Sequence, residues 1–204
     1  MALQGCEKYP QDRLDFEQSP LSRYQEIESV LKTEQLSGFD HGPVARNFIN
    51  SAQSWDLKKS AFYFRPESSG LPLRVKYYFE PSDSLVRLIV YEWNTVTPDM
   101  NENEIVETTA AFSQQHDTYT AKFDELVKQM NGRFGPATSG DGVIRKESFQ
   151  SIERWYSDMT WAKDNLTVEV QLSLIPTLSY RVFCKVYWAP PKGTNSEQEN
   201  NIVF

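Results

Sequence analysis

Apolar residues recur at helical spacing through the stretch His116–Gly135, where Tyr119, Phe123, Leu126, Val127, Met130 and Phe134 fall on one stripe. Lys122, Asp124, Glu125 and Lys128 fall outside it. Gly132 and the Gly135-Pro136 pair supply a stop, so a long helix is predicted over residues 116–131. A shorter helix is predicted over Leu21–Glu34, lined by Leu21, Tyr24, Ile27 and Leu31, with Ser19 as cap and Pro20 in the first turn. Val44–Trp55 reads as one more short helix, carrying Phe48 and Ile49.

Between and beyond these segments the period changes to two. Ser60–Arg65 and Leu73–Phe79 alternate, and Pro81-Ser82-Asp83-Ser84 makes a turn into Leu85–Trp93. That last stretch is apolar on both parities except at Arg87 and Glu92, the mark of a central strand covered on both sides. It forms a hairpin with 73–79. After the long helix come strands over Phe149–Trp161, Leu166–Leu174 and Tyr180–Trp188. Pairing Leu174 with Tyr180 sets apolar against apolar and Glu169 against Lys185. Residues 137–146, with Gly140-Asp141-Gly142, read as a flexible loop.

Strands grouped before and after one helix indicate an α+β fold. The expectation is a mostly antiparallel sheet of about six strands with a long central helix, covered by helices on both faces. Residues 1–20 read as an N-terminal tail or tether, 21–190 as a single domain and 191–204 as a polar C-terminal tail.

Composition adds limits. The chain has 204 residues, 39% hydrophobic and 24% charged, enough for a packed core. A net charge of −7 argues against nucleic acid as a partner, because that binding needs a basic footprint. No apolar run approaches the length that crosses a bilayer. The 12 Phe, 10 Tyr and 5 Trp serve either a core or a binding surface.

Candidate chemistry is sparse. His41 sits in the turn Asp40-His41-Gly42-Pro43, and His116 opens the long helix beside Asp117. Neither has the i, i+4 partner of a metal motif, and an aspartate at a helix start is explained by the helix dipole. Gly140-Asp141-Gly142 lacks the lysine and helix of a phosphate loop. Asp99, Glu102, Glu104 and Glu107 lack the spacing and glycine of a calcium loop. Cys6 and Cys184 match no zinc or CxxC spacing, and Cys184 falls on an apolar strand parity as a buried thiol. No cofactor and no metal are expected.

One sheet face invites a ligand or partner. With Val86, Leu88 and Val90 directed into the core, Arg87, Ile89, Tyr91 and Trp93 fall on the opposite side, next to Arg74, Lys76 and Tyr78. Aromatic rings beside cations bind anionic or sugar-like ligands or proteins. The alternative is that the first helix covers this face and the cations snorkel at its margin.

Leu3-Gln4-Gly5-Cys6 resembles the lipobox of bacterial lipoproteins. The resemblance implies diacylglycerol on the Cys6 sulfur and a domain held at a membrane without spanning it. Two departures are Gln4 and the lack of a basic, apolar leader before Leu3; the other reading of this stretch is an N-terminal tail with an incidental cysteine. The order of elements also resembles small bacterial envelope proteins with a Mog1p/PsbP-like three-layer sandwich. The helix ending at Arg133-Phe134-Gly135-Pro136, the tryptophans at 155 and 161, and two closing strands carry that likeness. It implies a fold and no functional residues. The expected function is thus a noncatalytic binding or assembly protein of the cell envelope or periplasm, its partner an unknown protein or small ligand. A cytosolic interaction domain is the alternative, and a hydrolase using His116 or His41 a lesser one.

Overall fold

The computed structural model describes residues 13–36, 59–65, 71–94, 112–149, 152–176 and 179–188. Within them lie two helices, α1 (Leu21–Leu31) and α2 (Phe112–Phe134). The strands of the first half are β1 (Glu34–Gln35), β2 (Lys59–Arg65), β3 (Leu73–Phe79) and β4 (Val86–Asn94). Those of the second are β5 (Arg145–Phe149), β6 (Ile152–Lys163), β7 (Leu166–Ile175) and β8 (Ser179–Trp188). All belong to one eight-stranded sheet ordered β1-β2-β3-β4-β8-β7-β6-β5, and every neighbouring pair is antiparallel.

This corrects the expected fold class. Among the described residues helix makes up 26% and strand 50%, so the domain is sheet-rich rather than an α+β unit built around a long helix. Two strands were not legible. β1 is only two exposed residues, and β5 is the edge sequence Arg-Lys-Glu-Ser-Phe, where one-sided pairing demands no apolar alternation. Nor do the described helices cover both faces. Tyr24 and Ile27 of α1 and Tyr119, Phe123, Leu126 and Met130 of α2 join a single core on one face of the sheet. That core takes in Leu73, Val75 and Tyr77 of β3, Ile89, Tyr91 and Trp93 of β4, and the matching positions of β7 and β8. Apolar residues on both parities of a strand report that both faces are buried, not what buries them.

The β7–β8 pairing has the expected register, with Leu174 opposite Tyr180 and Glu169 opposite Lys185. α2 ends where Gly135 adopts φ +84°, its N–H donating to the Asn131 carbonyl at 3.0 Å. The Trp161 indole N–H then donates to the Gly135 carbonyl at 3.0 Å, tying the helix end to β6. The loop beyond, expected to be flexible, is pinned to the same strand. Thr138 N–H donates to the Thr160 carbonyl at 2.8 Å, and Gly140 approaches β6 so closely that a Cβ would meet the Asp158 carbonyl at 2.2 Å.

Residues 13–20 fell within the stretch read as a tether. They lie against the helical face, with Leu14 and Phe16 buried in the core and Phe16 edge-on to Phe134 at 5.3 Å. Pro20 stands at the N-cap of α1 without a side-chain cap, and Leu21 N–H is satisfied by the Ser84 carbonyl at 2.8 Å.

A buried ion pair fastens α1 to the sheet. Arg65 of β2 and Glu28 of α1 are 0% and 1% exposed. Arg65 Nε reaches both Glu28 oxygens at 3.0 and 3.1 Å, Nη1 donates to the Arg13 carbonyl at 2.8 Å, and Nη2 to the Tyr77 hydroxyl at 3.0 Å. The Tyr77 hydroxyl donates in turn to Glu28 at 2.5 Å. Satisfied in this way the pair fixes geometry, whereas removing one partner leaves a charge in the core. Arg65→Met should therefore cost about 3–5 kcal/mol in urea unfolding, and the double variant Glu28→Leu/Arg65→Met should recover at least about half of it. A single variant as stable as the parent would contradict this role for the pair.

Candidate binding face

The second face of the sheet is set by a bulge. The β3–β4 register runs Leu73↔Trp93, Arg74↔Glu92, Val75↔Tyr91, Lys76↔Val90, Tyr77↔Ile89 and Tyr78↔Leu88, then shifts to Phe79↔Val86. Arg87 is the extra residue, and parity inverts across it. Val86 therefore points into the helical core, whereas Leu88 and Val90 join a second buried cluster with Tyr78, Phe183 and Tyr187.

The structure does not bring the six expected face residues together. Arg74, Lys76 and Tyr78 share the second face. Tyr91 and Trp93 lie beneath the helices, where Tyr91 accepts the Asp15 N–H at 2.8 Å and Trp93 sits under the Lys122 ammonium at 4.8 Å. Arg87, at the bulge, pairs with Asp83 at 2.6 Å. Strict alternation from Val86 misassigned Tyr91 and Trp93, since nothing in Val-Arg-Leu-Ile-Val marks the inserted residue.

The charged neighbours of Arg74 and Lys76 come from β4 and β8, while Phe64 and Phe62 of β2 lie opposite them in the ladder. The Glu92 carboxylate is almost fully buried and central. It lies opposite Arg74 in the ladder, 3.4 Å from Lys76 Nζ, 3.8 Å from Arg181 Nε, and accepts the Asn94 amide at 3.1 Å. Beside it, Lys185 donates to Gln171 at 2.7 Å and lies 3.7 Å from Glu169, which accepts the Tyr187 hydroxyl at 2.9 Å. Burial pulls Lys185 below the usual lysine range against the opposing pull of Glu169. Burial also lowers Arg74, with Glu92 opposing and Arg181 adding to the effect. Burial, then Glu92, pushes the Tyr78 hydroxyl up to about 12.

The face has a closed end and an open end. Leu88, Val90, Tyr78 and Tyr187 are buried, whereas the Arg181 side chain is 42% exposed and Lys76 23%. Phe64, Arg74, Tyr156, Gln171 and Ser173, at the same end, are half-buried. Around Glu92, among the described residues, three cations meet one carboxylate. The missing members left a partial trace: Glu92 is an acid inside an apolar run, and Arg181 and Lys185 fall on the polar parity of 180–188, although their meeting needs the β4–β8 pairing.

The remaining candidates are placed as follows. His116 Nδ1 lies 3.1 Å from Asp117, but that carboxylate is 89% exposed, far from the water-poor setting that strengthens such a pair. Cys184 is fully buried, and burial pushes its thiol up to about 12, so little thiolate forms near neutral pH. Asp141 is held below the ordinary carboxylate range by the Arg145 guanidinium, 2.5 Å away, and accepts the Val143 N–H as a turn aspartate does. Cys6, His41 and the acidic positions 99–107 lie outside the described residues. Among the described residues no three His, Cys, Asp or Glu side chains converge as metal ligands would, and no helix is long and apolar enough to cross a membrane. Comparison with protein-family models, with curated proteins and with solved structures finds no match.

If Glu92 holds its three cations together, Glu92→Gln should destabilise the fold by about 2 kcal/mol in urea unfolding. Unchanged stability would show that the carboxylate is dispensable to the face.

Proposed function

We propose that this chain is a noncatalytic binding or assembly protein of the bacterial cell envelope, and that its partner meets the open end of the second sheet face. The observation that carries the binding reading is the cation excess around Glu92, on a face that continues to half-buried Phe64 opposite Arg74 and to half-buried Tyr156 opposite Ser173. In a chain of net charge −7, such a concentration of guanidinium and ammonium groups is a local reversal of sign. The internal pairing of Asn94 on Glu92, Lys185 on Gln171 and Tyr187 on Glu169 suits a preorganised docking surface better than a reacting centre. The envelope reading rests on Leu3-Gln4-Gly5-Cys6, which would supply a lipid anchor at Cys6.

A photo-crosslinking residue at position 173, on this face, should give one discrete adduct in the native host. The same residue at position 128, on the solvent side of α2, should give none. Equal adducts from both positions would contradict the face. Radiolabelled palmitate should enter the full-length gene product through Cys6 and be lost in Cys6→Ser. No incorporation would move the protein off the membrane.

A further inference from the structure

We infer that the open corner formed by Arg74, Lys76 and Arg181 takes an acidic peptide segment of a protein partner. The inference deepens the binding reading above and rests on it. Glu92 restrains Lys76 and Arg181 by charge at distances longer than a close hydrogen bond. Arg181 Nε stands 3.8 Å from the carboxylate, beyond hydrogen-bond reach, and makes no hydrogen bond among the described residues. Lys76 Nζ, at 3.4 Å, is at the long limit, and it also lies over the Phe62 ring at 5.1 Å.

Arginine presents a planar fork that receives a carboxylate through two parallel N–H groups. Arg181 is 42% exposed and positioned to offer it. Two strand spacings separate β3 from β8, so Arg74 and Arg181 flank Glu92 with Cα atoms about 12 Å apart. That spread suits successive side chains of one peptide better than a single compact anion. The half-buried Phe64 and Tyr156 rings and the Gln171 and Ser173 side chains extend the same surface with apolar and hydrogen-bonding contacts. A nucleic acid would have to approach a chain of net charge −7.

The test uses a fluorescein-labelled peptide of alternating glutamate and phenylalanine, read by fluorescence anisotropy against the full chain. Binding should weaken about tenfold or more in Arg181→Glu, remain unchanged in Lys128→Glu, and fall as salt rises from about 0.05 M to about 0.5 M. The same peptide with lysine for glutamate should not bind. Arg181→Gln, which keeps a polar side chain at this half-exposed site, guards against misfolding and should also weaken binding. Equal binding by Arg181→Glu, or no binding by the natural chain, overturns the inference. Displacement by inorganic phosphate at matching concentration overturns it in favour of a small-anion site. Loss of peptide binding with the position-173 adduct intact would leave the face and remove the acidic peptide; absence of both would remove both.

Discussion

β4 and β8 pair from Leu88↔Tyr187 to Asn94↔Arg181, and among the described strands no other pairing joins the first half of the sheet to the second. Hairpin contacts build each half locally: β2–β3–β4 on one side, β5–β6–β7–β8 on the other. The seam is long-range, with the whole of α2 and the second half of the chain between its partners, so its closure carries a larger entropic cost than any hairpin. Burial offsets that cost. Ile89, Tyr91 and Trp93 face Val186, Cys184 and Val182 in the helical core, while Leu88 and Val90 meet Tyr187 and Phe183 in the second cluster. A strand that must bury both faces has almost no room for a charge, which makes Glu92 the informative exception.

The same seam assembles the candidate site. Arg74 and Lys76 belong to the first half and Arg181 and Lys185 to the second; Glu92 stands between them on β4. Neither half alone holds the constellation, so the proposed binding face depends on the closure of the whole sheet rather than on a loop. The bulge at Arg87 decides which side chains take part. By inverting parity it sends Tyr91 and Trp93 under the helices and leaves Glu92 facing the cations. An isolated sheet face with buried cations is costly unless each finds a partner. The carboxylates of Glu92 and Glu169 fill that role from within.

Legibility in the sequence followed the strength of the local pattern. The β7–β8 hairpin was readable to the residue, because alternation was clean and the Glu169–Lys185 match confirmed the register. The α2 stripe was readable for a similar reason, although Lys122 was not. Its stem packs inside the helix–sheet interface and its ammonium sits over Trp93, a placement that polarity alone argues against. The edge strands β1 and β5 left no periodic trace. The Arg65–Glu28 pair was invisible, since a charged residue that is buried and paired looks the same in sequence as one in solvent. Of the candidate site, Arg74, Lys76 and Tyr78 were legible from parity on β3. The β8 cations needed the long-range pairing of β4 with β8, which no local pattern encodes.

Native-state hydrogen exchange measures the seam most directly. Backbone amides of β4 and β8 should exchange only through global opening, at one common free energy shared with the central parts of β3 and β7. If β2–β4 and β6–β8 instead open as two groups with separate free energies, and the seam amides exchange with the weaker group, the two halves are independent units, and a site built across β4 and β8 has no stable frame.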